Sequence, residues 1–212
     1  MNPLLFPTTR GLYAITHGPR PNLAAVVAQA LAGGARALQY RDESDDSTRR
    51  QHEATALRQL CRAHGVPLII DADVTLALTM GADGVHLDDV AGIARARAAL
   101  GDQAIIGVSC RDSLERAQAA VRAGADYVSF GAFFRSPTKP LAPRASIDLL
   151  RQSAALGVPR VAIGGITPDN GSSLIEAGAD YLAAISAVFG AADVRQAAQR
   201  ISDLYSPSCG TP

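Results

Sequence analysis

The chain has 212 residues, 48% hydrophobic and 19% charged, with twenty Lys+Arg and twenty Asp+Glu that cancel to zero net charge. That balance supports one well-filled globular domain, and it excludes a disordered chain and any broad electrostatic pull toward nucleic acid or an anionic membrane. Cys61, Cys110 and Cys209 are an odd number at unrelated spacings, which excludes a disulfide framework or zinc knuckle and fits a reducing cytoplasm.

In chain order, Met1-Asn2-Pro3-Leu4-Leu5-Phe6-Pro7 holds two prolines and no basic region before an apolar run, so it does not read as a signal peptide. Residues 1–10 read as an N-terminal arm, 206–212 as a flexible tail, and no segment between them is long and apolar enough to span a bilayer. Apolar runs centred near Leu12, Ala37, Leu68, Val85, Ile105, Tyr127, Val161 and Leu182 read as strands. Between them lie amphipathic stretches such as Leu23 to Leu31, Thr48 to Ala63, Leu114 to Ala123 and Ile147 to Ala155. One phrase recurs at Gly33-Gly34-Ala35, Gly81-Ala82-Asp83, Gly124-Ala125-Asp126 and Gly178-Ala179-Asp180: a helix end, a glycine stop, then a short strand.

Eight strands alternating with helices predict an α/β chain folded as a single (β/α)8 TIM barrel over residues 1–212. An open doubly wound sheet is the alternative, but no Gly-x-Gly-x-x-Gly opens a helix after the first strand. In a TIM barrel the chemistry sits at the C-terminal strand ends. Those positions here hold Thr16, His17, Gln39, Arg41, Glu43, Asp71, Asp73, His86, Asp88, Asp89, Ser109, Ser136 through Lys139, Gly164-Gly165 and Ile185-Ser186. The segment Ser136-Pro137-Thr138-Lys139-Pro140 offers two hydroxyls and a lysine, and Gly164-Gly165 offers backbone N–H groups that an anion can approach. A phosphorylated small molecule is the expected ligand.

Six motifs in order, Gly11-Leu12-Tyr13-Ala14-Ile15-Thr16, Leu38-Gln39-Tyr40-Arg41-Asp42, Gly84-Val85-His86-Leu87, Ile106-Gly107-Val108-Ser109, Thr138-Lys139-Pro140 and Ala162-Ile163-Gly164-Gly165-Ile166, resemble the thiamine-phosphate synthase family. The resemblance runs from Gly11 to about Ser186. It implies a transferase that joins a hydroxymethylpyrimidine diphosphate to a thiazole phosphate, releasing diphosphate. It also implies that Gln39, Arg41, Ser109 and Lys139 hold the pyrimidine diphosphate near Glu43 and Asp71, with Arg41, Lys139 and Ser109 closest to the chemistry. Ser136, Pro137, Thr138, Gly164, Gly165, Ile185 and Ser186 would hold the thiazole phosphate. Mg²⁺ is the implied cofactor. Phosphorylated small molecules are the implied partners, no nucleic acid or membrane is expected, and a homo-oligomer is left open.

Three positions depart from the family pattern. Glu43 stands where the family writes lysine, and Ala72 and Ala91 stand where it writes the aspartates that serve magnesium. Asp71, Asp73, Asp88 and Asp89 are the carboxylates that remain to replace them. His17 stands where an aspartate is common.

Several residues have plainer readings. His86 reads as a hydrogen-bonded structural histidine, and His52 and His64 as surface residues. Cys110 reads as packing, Phe133 and Phe134 as a loop wall, Arg135 as solvent-facing, and Asp42 through Asp46 as a solvated acidic run that caps the next helix. Two other functions stand beside the transferase: a barrel that only binds thiazole or thiamine phosphate, and a thiazole tautomerase, against which Ala132 stands where that activity's histidine follows Gly131.

Overall fold

The structure, a computed structural model, describes residues 9–135 and 143–206. Strand and helix alternate as β1 (Gly11–Ile15), α1 (Leu23–Ala32), β2 (Ala37–Tyr40), α2 (Ser47–His64), β3 (Leu68–Asp71), α3 (Val74–Met80), β4 (Gly84–Leu87) and α4 (Ile93–Leu100). The series continues with β5 (Ile105–Arg111), α5 (Leu114–Arg122), β6 (Tyr127–Phe130), α6 (Asp148–Gln152), β7 (Arg160–Ile163), α7 (Gly171–Glu176) and β8 (Tyr181–Ala184). A short α8 (Ser186–Phe189) and α9 (Val194–Ser202) follow. Each strand pairs in parallel with the next and β8 closes on β1, so the expected (β/α)8 TIM barrel is the fold.

The recurring Gly-Ala-Asp phrase has a mechanical cause. Each aspartate accepts a backbone N–H from the base of the preceding strand: Asp83 from Leu68 (2.8 Å), Asp126 from Ile106 (2.7 Å) and Asp180 from Arg160 (2.9 Å). These are N–H groups that the barrel's lower rim would otherwise leave unpaired. Helix starts follow sequence chemistry too, with Asp46, Asp73, Ser113 and Asp193 accepting from Arg49, Leu76, Arg116 and Gln196 as N-caps.

Because successive strand residues face opposite ways, the barrel has two cores. Leu12, Leu38, Leu68, Val85, Ile106, Val128, Ala162 and Leu182 face the helices. Tyr13, Ile15, Ala37, Ile69, Ile105, Tyr127, Val161, Tyr181 and Ala183 fill the interior. Gly107 makes room there, since a Cβ on it would lie 1.9 Å from the Tyr127 ring.

One expected helix differs. The stretch from Ile147 to Ala155 is α-helical only to Gln152 and tightens into a 3₁₀ turn over Ser153–Leu156. The buried Ser153 hydroxyl donates to Leu150 O (3.0 Å), a local bond that competes with regular helix, and Gly157 in the left-handed region ends the turn ahead of Pro159. At the lower rim Thr9 O accepts from Tyr181 Oη (2.6 Å) and Arg10 donates to Ala179 O (2.7 Å). The end of the expected arm is therefore tied to the barrel, while residues 1–8 and 207–212 lie outside the described residues. Among the described residues no helix is long and apolar enough to cross a membrane.

Candidate active site

The inward strand parity, carried toward the C-terminal ends, delivers Gln39 from β2 and Arg41 just past it, Asp71 from β3, His86 from β4, Ser109 from β5 and Ser129 from β6 into one mouth. Thr16, just past β1, is fully buried, and its Oγ1 accepts from Arg41 N (2.8 Å) and donates to Arg41 O (3.2 Å). One hydroxyl thus clamps both backbone groups of the residue that carries the site's described cation. The guanidinium is held as well: Nε lies 3.5 Å from Asp71 Oδ2, and Nη2 donates to Glu43 Oε1. Asp71 Oδ1 accepts from Gln39 Nε2 at 2.5 Å, so one carboxylate orients both the Gln39 and the Arg41 side chains at the end of β2.

Thr16→Val keeps the shape but strands the half-buried Arg41 N–H. The expected loss is about 1–3 kcal/mol, roughly 2–10 °C in Tm for a domain of this size. Thr16→Ser should recover most of it, and paired thermal melts of the two variants check this.

Burial pushes the Asp71 carboxyl up to about 6; Arg41 opposes the rise, and the neighbouring charges of Asp88 and Glu43 add to it. A folded pKa above the ordinary 3.8 means that protonated Asp71 stabilises the fold. That contribution is complete below 3.8 and is lost as pH rises through 6. Asp71→Asn should therefore gain stability relative to wild type between those values and hold about 1–3 kcal/mol above them. Denaturant melts from pH 4 to 8 check it; a difference independent of pH would contradict the shift. His86, which burial lowers to about 4, imposes the opposite slope on both proteins, so the difference between them is the quantity to read.

The acidic run at 42–46 is not uniformly solvated, which corrects the sequence reading. The Asp42 side chain is 0% exposed and meets Arg49 Nη1 at 2.7 Å. Burial opposes its ionisation, but Arg49 and the Ser44 N–H outweigh that and leave its pKa lowered. Asp46 caps α2 as expected, and Glu43 is 72% exposed.

The four candidate metal carboxylates divide by their engagements. Asp73 caps α3 through Leu76 N (2.8 Å) and pairs with Arg50 (2.8 Å). Asp89 accepts from Ala91 N (3.0 Å) and pairs with Arg116 (3.2 Å). Asp88 is exposed, and its charge acts on both Asp71 and His86. Among the described residues no three His, Cys, Asp or Glu side chains converge as a metal site. Mg²⁺ is commonly held by one or two carboxylates together with substrate phosphates; Asp71, which also holds Gln39 and Arg41, and the exposed Asp88, whose charge acts on it, are the two of the four that suit that smaller requirement.

Below the mouth runs a buried polar chain that the sequence reading did not assemble. Tyr13 Oη lies 2.8 Å from Tyr127 Oη, Tyr127 Oη 2.9 Å from His86 Nδ1, and His86 Nε2 3.3 Å from Ser129 Oγ. His86 is thus the hydrogen-bonded structural histidine expected, kept neutral by burial. Tyrosines inside apolar runs, at inward parity, were the available signal. Cys110 is packed as expected, its thiol pushed up to about 12 by burial. Phe133 is buried, Phe134 packs on the same core, and Arg135, His17, His52 and His64 are exposed.

On the other side of the mouth, Gly164 (φ 104°) and Gly165 (φ 62°) lie against the segment after β6. A Cβ on the first would meet Ala132 Cβ at 2.4 Å and on the second Arg135 O at 2.2 Å, so packing demands glycine at both. Ile185 packs on the inner core, and Ser186 is exposed at the start of α8. Ser136, Pro137, Thr138 and Lys139 lie outside the described residues.

The fold is a TIM barrel whose loops after strands seven and eight lead into a short extra helix, the place where such barrels frequently hold phosphate, with a fixed arginine across the mouth. Comparison with known proteins narrows that class. The family model described as thiamine monophosphate synthase matches residues 12–188. A thiamine-phosphate synthase of Thiobacillus denitrificans is 52% identical over 200 residues, covering 92% of this chain and 95% of that protein. One from Chromobacterium violaceum is 51% identical, covering 94% and 98%. A thiamine phosphate pyrophosphorylase structure from Pyrococcus furiosus superposes with a TM-score of 0.82 at 34% identity, covering 96% of each chain. The chain belongs to the thiamine monophosphate synthase family.

Proposed function

We propose that the chain joins 4-amino-2-methyl-5-(diphosphooxymethyl)pyrimidine to a thiazole phosphate, giving thiamine phosphate and diphosphate. The protein is a transferase of the thiamine-phosphate synthase type. The observation that carries the site-level reading is Arg41: a cation only 15% exposed, fixed by Thr16 and Asp71 at the face where barrel chemistry sits. Departure of diphosphate leaves positive charge on a carbon attached to the pyrimidine, which the ring delocalises. The protein's task is then to position two anionic reactants and to stabilise charge growing on the leaving group. Arg41 meets that charge with its direction already set. Gln39, held by Asp71, and Ser109 supply further polar contacts, and Lys139 adds a second cation by family resemblance. Gly164, Gly165, Ile185 and Ser186, with Ser136, Pro137 and Thr138, hold the thiazole phosphate.

Asp71 and Asp88 would hold Mg²⁺ together with the diphosphate, and the ion would there neutralise phosphate oxygens. The tyrosine–histidine chain beneath stays neutral, since burial holds His86 low and both phenols well above their ordinary range. The floor of the mouth therefore adds no charge beside the developing carbocation. The reaction is assigned to the cytoplasm, in keeping with unpaired thiols at Cys61 and Cys110.

The biological test is complementation. Expressed in a bacterium lacking its own thiamine-phosphate synthase, the chain should restore growth without thiamine. A folded, expressed protein that fails to do so would count against catalysis and favour a barrel that only binds.

A further inference from the structure

In place of the family's lysine, Glu43 lies beside the cation that the proposed reaction uses. Its carboxylate accepts from Arg41 Nη2, and its side chain is 72% exposed while that of Arg41 is 15% exposed. Arg41 is not free to swing away. Thr16 clamps its backbone on both sides, and Asp71 takes its Nε at 3.5 Å. Of the two carboxylates on the guanidinium, Asp71 is the enclosed one, tied also to Gln39, and Glu43 is the one with room to leave. A diphosphate oxygen and a carboxylate oxygen use the same guanidinium N–H donors.

We infer that Glu43 is an internal competitor for Arg41: its carboxylate occupies, in the resting enzyme, a donor that the substrate's diphosphate takes over in turnover. The inference rests on the synthase reading and deepens it. Binding of the diphosphate substrate requires the Glu43 side chain to swing outward, and return of that side chain favours release of the diphosphate product. Glu43 thus sets affinity for the diphosphate ligands without entering the chemistry. An ion pair this exposed is weak and screened by salt, so the effect is a few-fold and shrinks as ionic strength rises.

The test is calorimetric titration of inorganic diphosphate into wild type, Glu43→Gln, Arg41→Ala and the double variant, with steady-state kinetics on the first two. Glu43→Gln should bind diphosphate about three- to fivefold more tightly and lower KM for the pyrimidine diphosphate, leaving KM for the thiazole phosphate unchanged. With Arg41 already removed, Glu43→Gln should change affinity by less than about twofold, because the competition has lost its object. An equal gain in both backgrounds would overturn the inference and make Glu43 a general repulsive charge. Unchanged affinity in Glu43→Gln, in an enzyme that still makes thiamine phosphate, would overturn the inference alone. If no variant bound diphosphate and none made thiamine phosphate, both the inference and the synthase reading would fall.

Discussion

Arg41→Ala is expected to lower kcat/KM for the pyrimidine diphosphate by about 10- to 150-fold, the equivalent of one charge-assisted contact worth roughly 1.5–3 kcal/mol. The upper part of that range is favoured by enclosure, since the guanidinium is 15% exposed and its partners Thr16 and Asp71 fix it before substrate arrives. A preorganised donor needs no rearrangement as charge develops on the leaving group, which is where such groups are worth most. The site proposed for the thiazole phosphate lies across the mouth, so its KM should change little. Steady-state kinetics with each substrate varied in turn, alongside circular dichroism, separate these effects. A folded Arg41→Ala enzyme with normal turnover would show that the cation does not reach the diphosphate.

The triple variant Glu43→Lys, Ala72→Asp, Ala91→Asp should work in the opposite direction, raising kcat/KM by about tenfold or more at saturating Mg²⁺. All three positions are exposed, so the larger side chains need no repacking. Ala72 has a further reason to accept aspartate: its φ is +55°, a left-handed conformation that alanine adopts at a cost and that Asp and Asn tolerate better. Ala72→Asp alone should therefore be neutral or stabilising in a thermal melt. Each single change is expected to do less than its share, because a cation held by one added carboxylate has poor geometry. Mn²⁺ binding followed by electron paramagnetic resonance, beside the kinetics, gives a readout independent of turnover. A folded triple variant with unchanged rate and unchanged Mn²⁺ affinity would mean that Asp71 and Asp88 hold the metal fully by themselves and that the departures at Ala72 and Ala91 cost the enzyme nothing.

The barrel was legible because its signals are local. Most strands are short apolar runs bounded by glycine, proline or aspartate, and Asp83, Asp126 and Asp180 each mark the base of a strand in the sequence itself. The site was legible only as an inventory. Arg41 and Gln39 could be assigned to the mouth from their place after an apolar run, but their fixing by Thr16 and Asp71 depends on register across β1, β2 and β3. Charge runs hide the same kind of distinction. Asp42 and Glu43 are adjacent, yet one is buried against Arg49 and the other, itself exposed, reaches in to Arg41. Asp71 and Asp73 are two residues apart, but the chain leaves the strand between them, so Asp71 meets Gln39 while Asp73 caps α3. The Tyr13–Tyr127–His86–Ser129 chain joins three strands, and only their closure into a barrel brings the four together.

The central claim is most directly tested by incubating the purified protein with both substrates and Mg²⁺ and following thiamine phosphate and diphosphate together. The account predicts that the two products appear in equal amounts, only when both substrates are present, and that chelation of the metal slows both alike. Diphosphate released without the thiazole phosphate, or no thiamine phosphate from protein that binds both ligands, would contradict it.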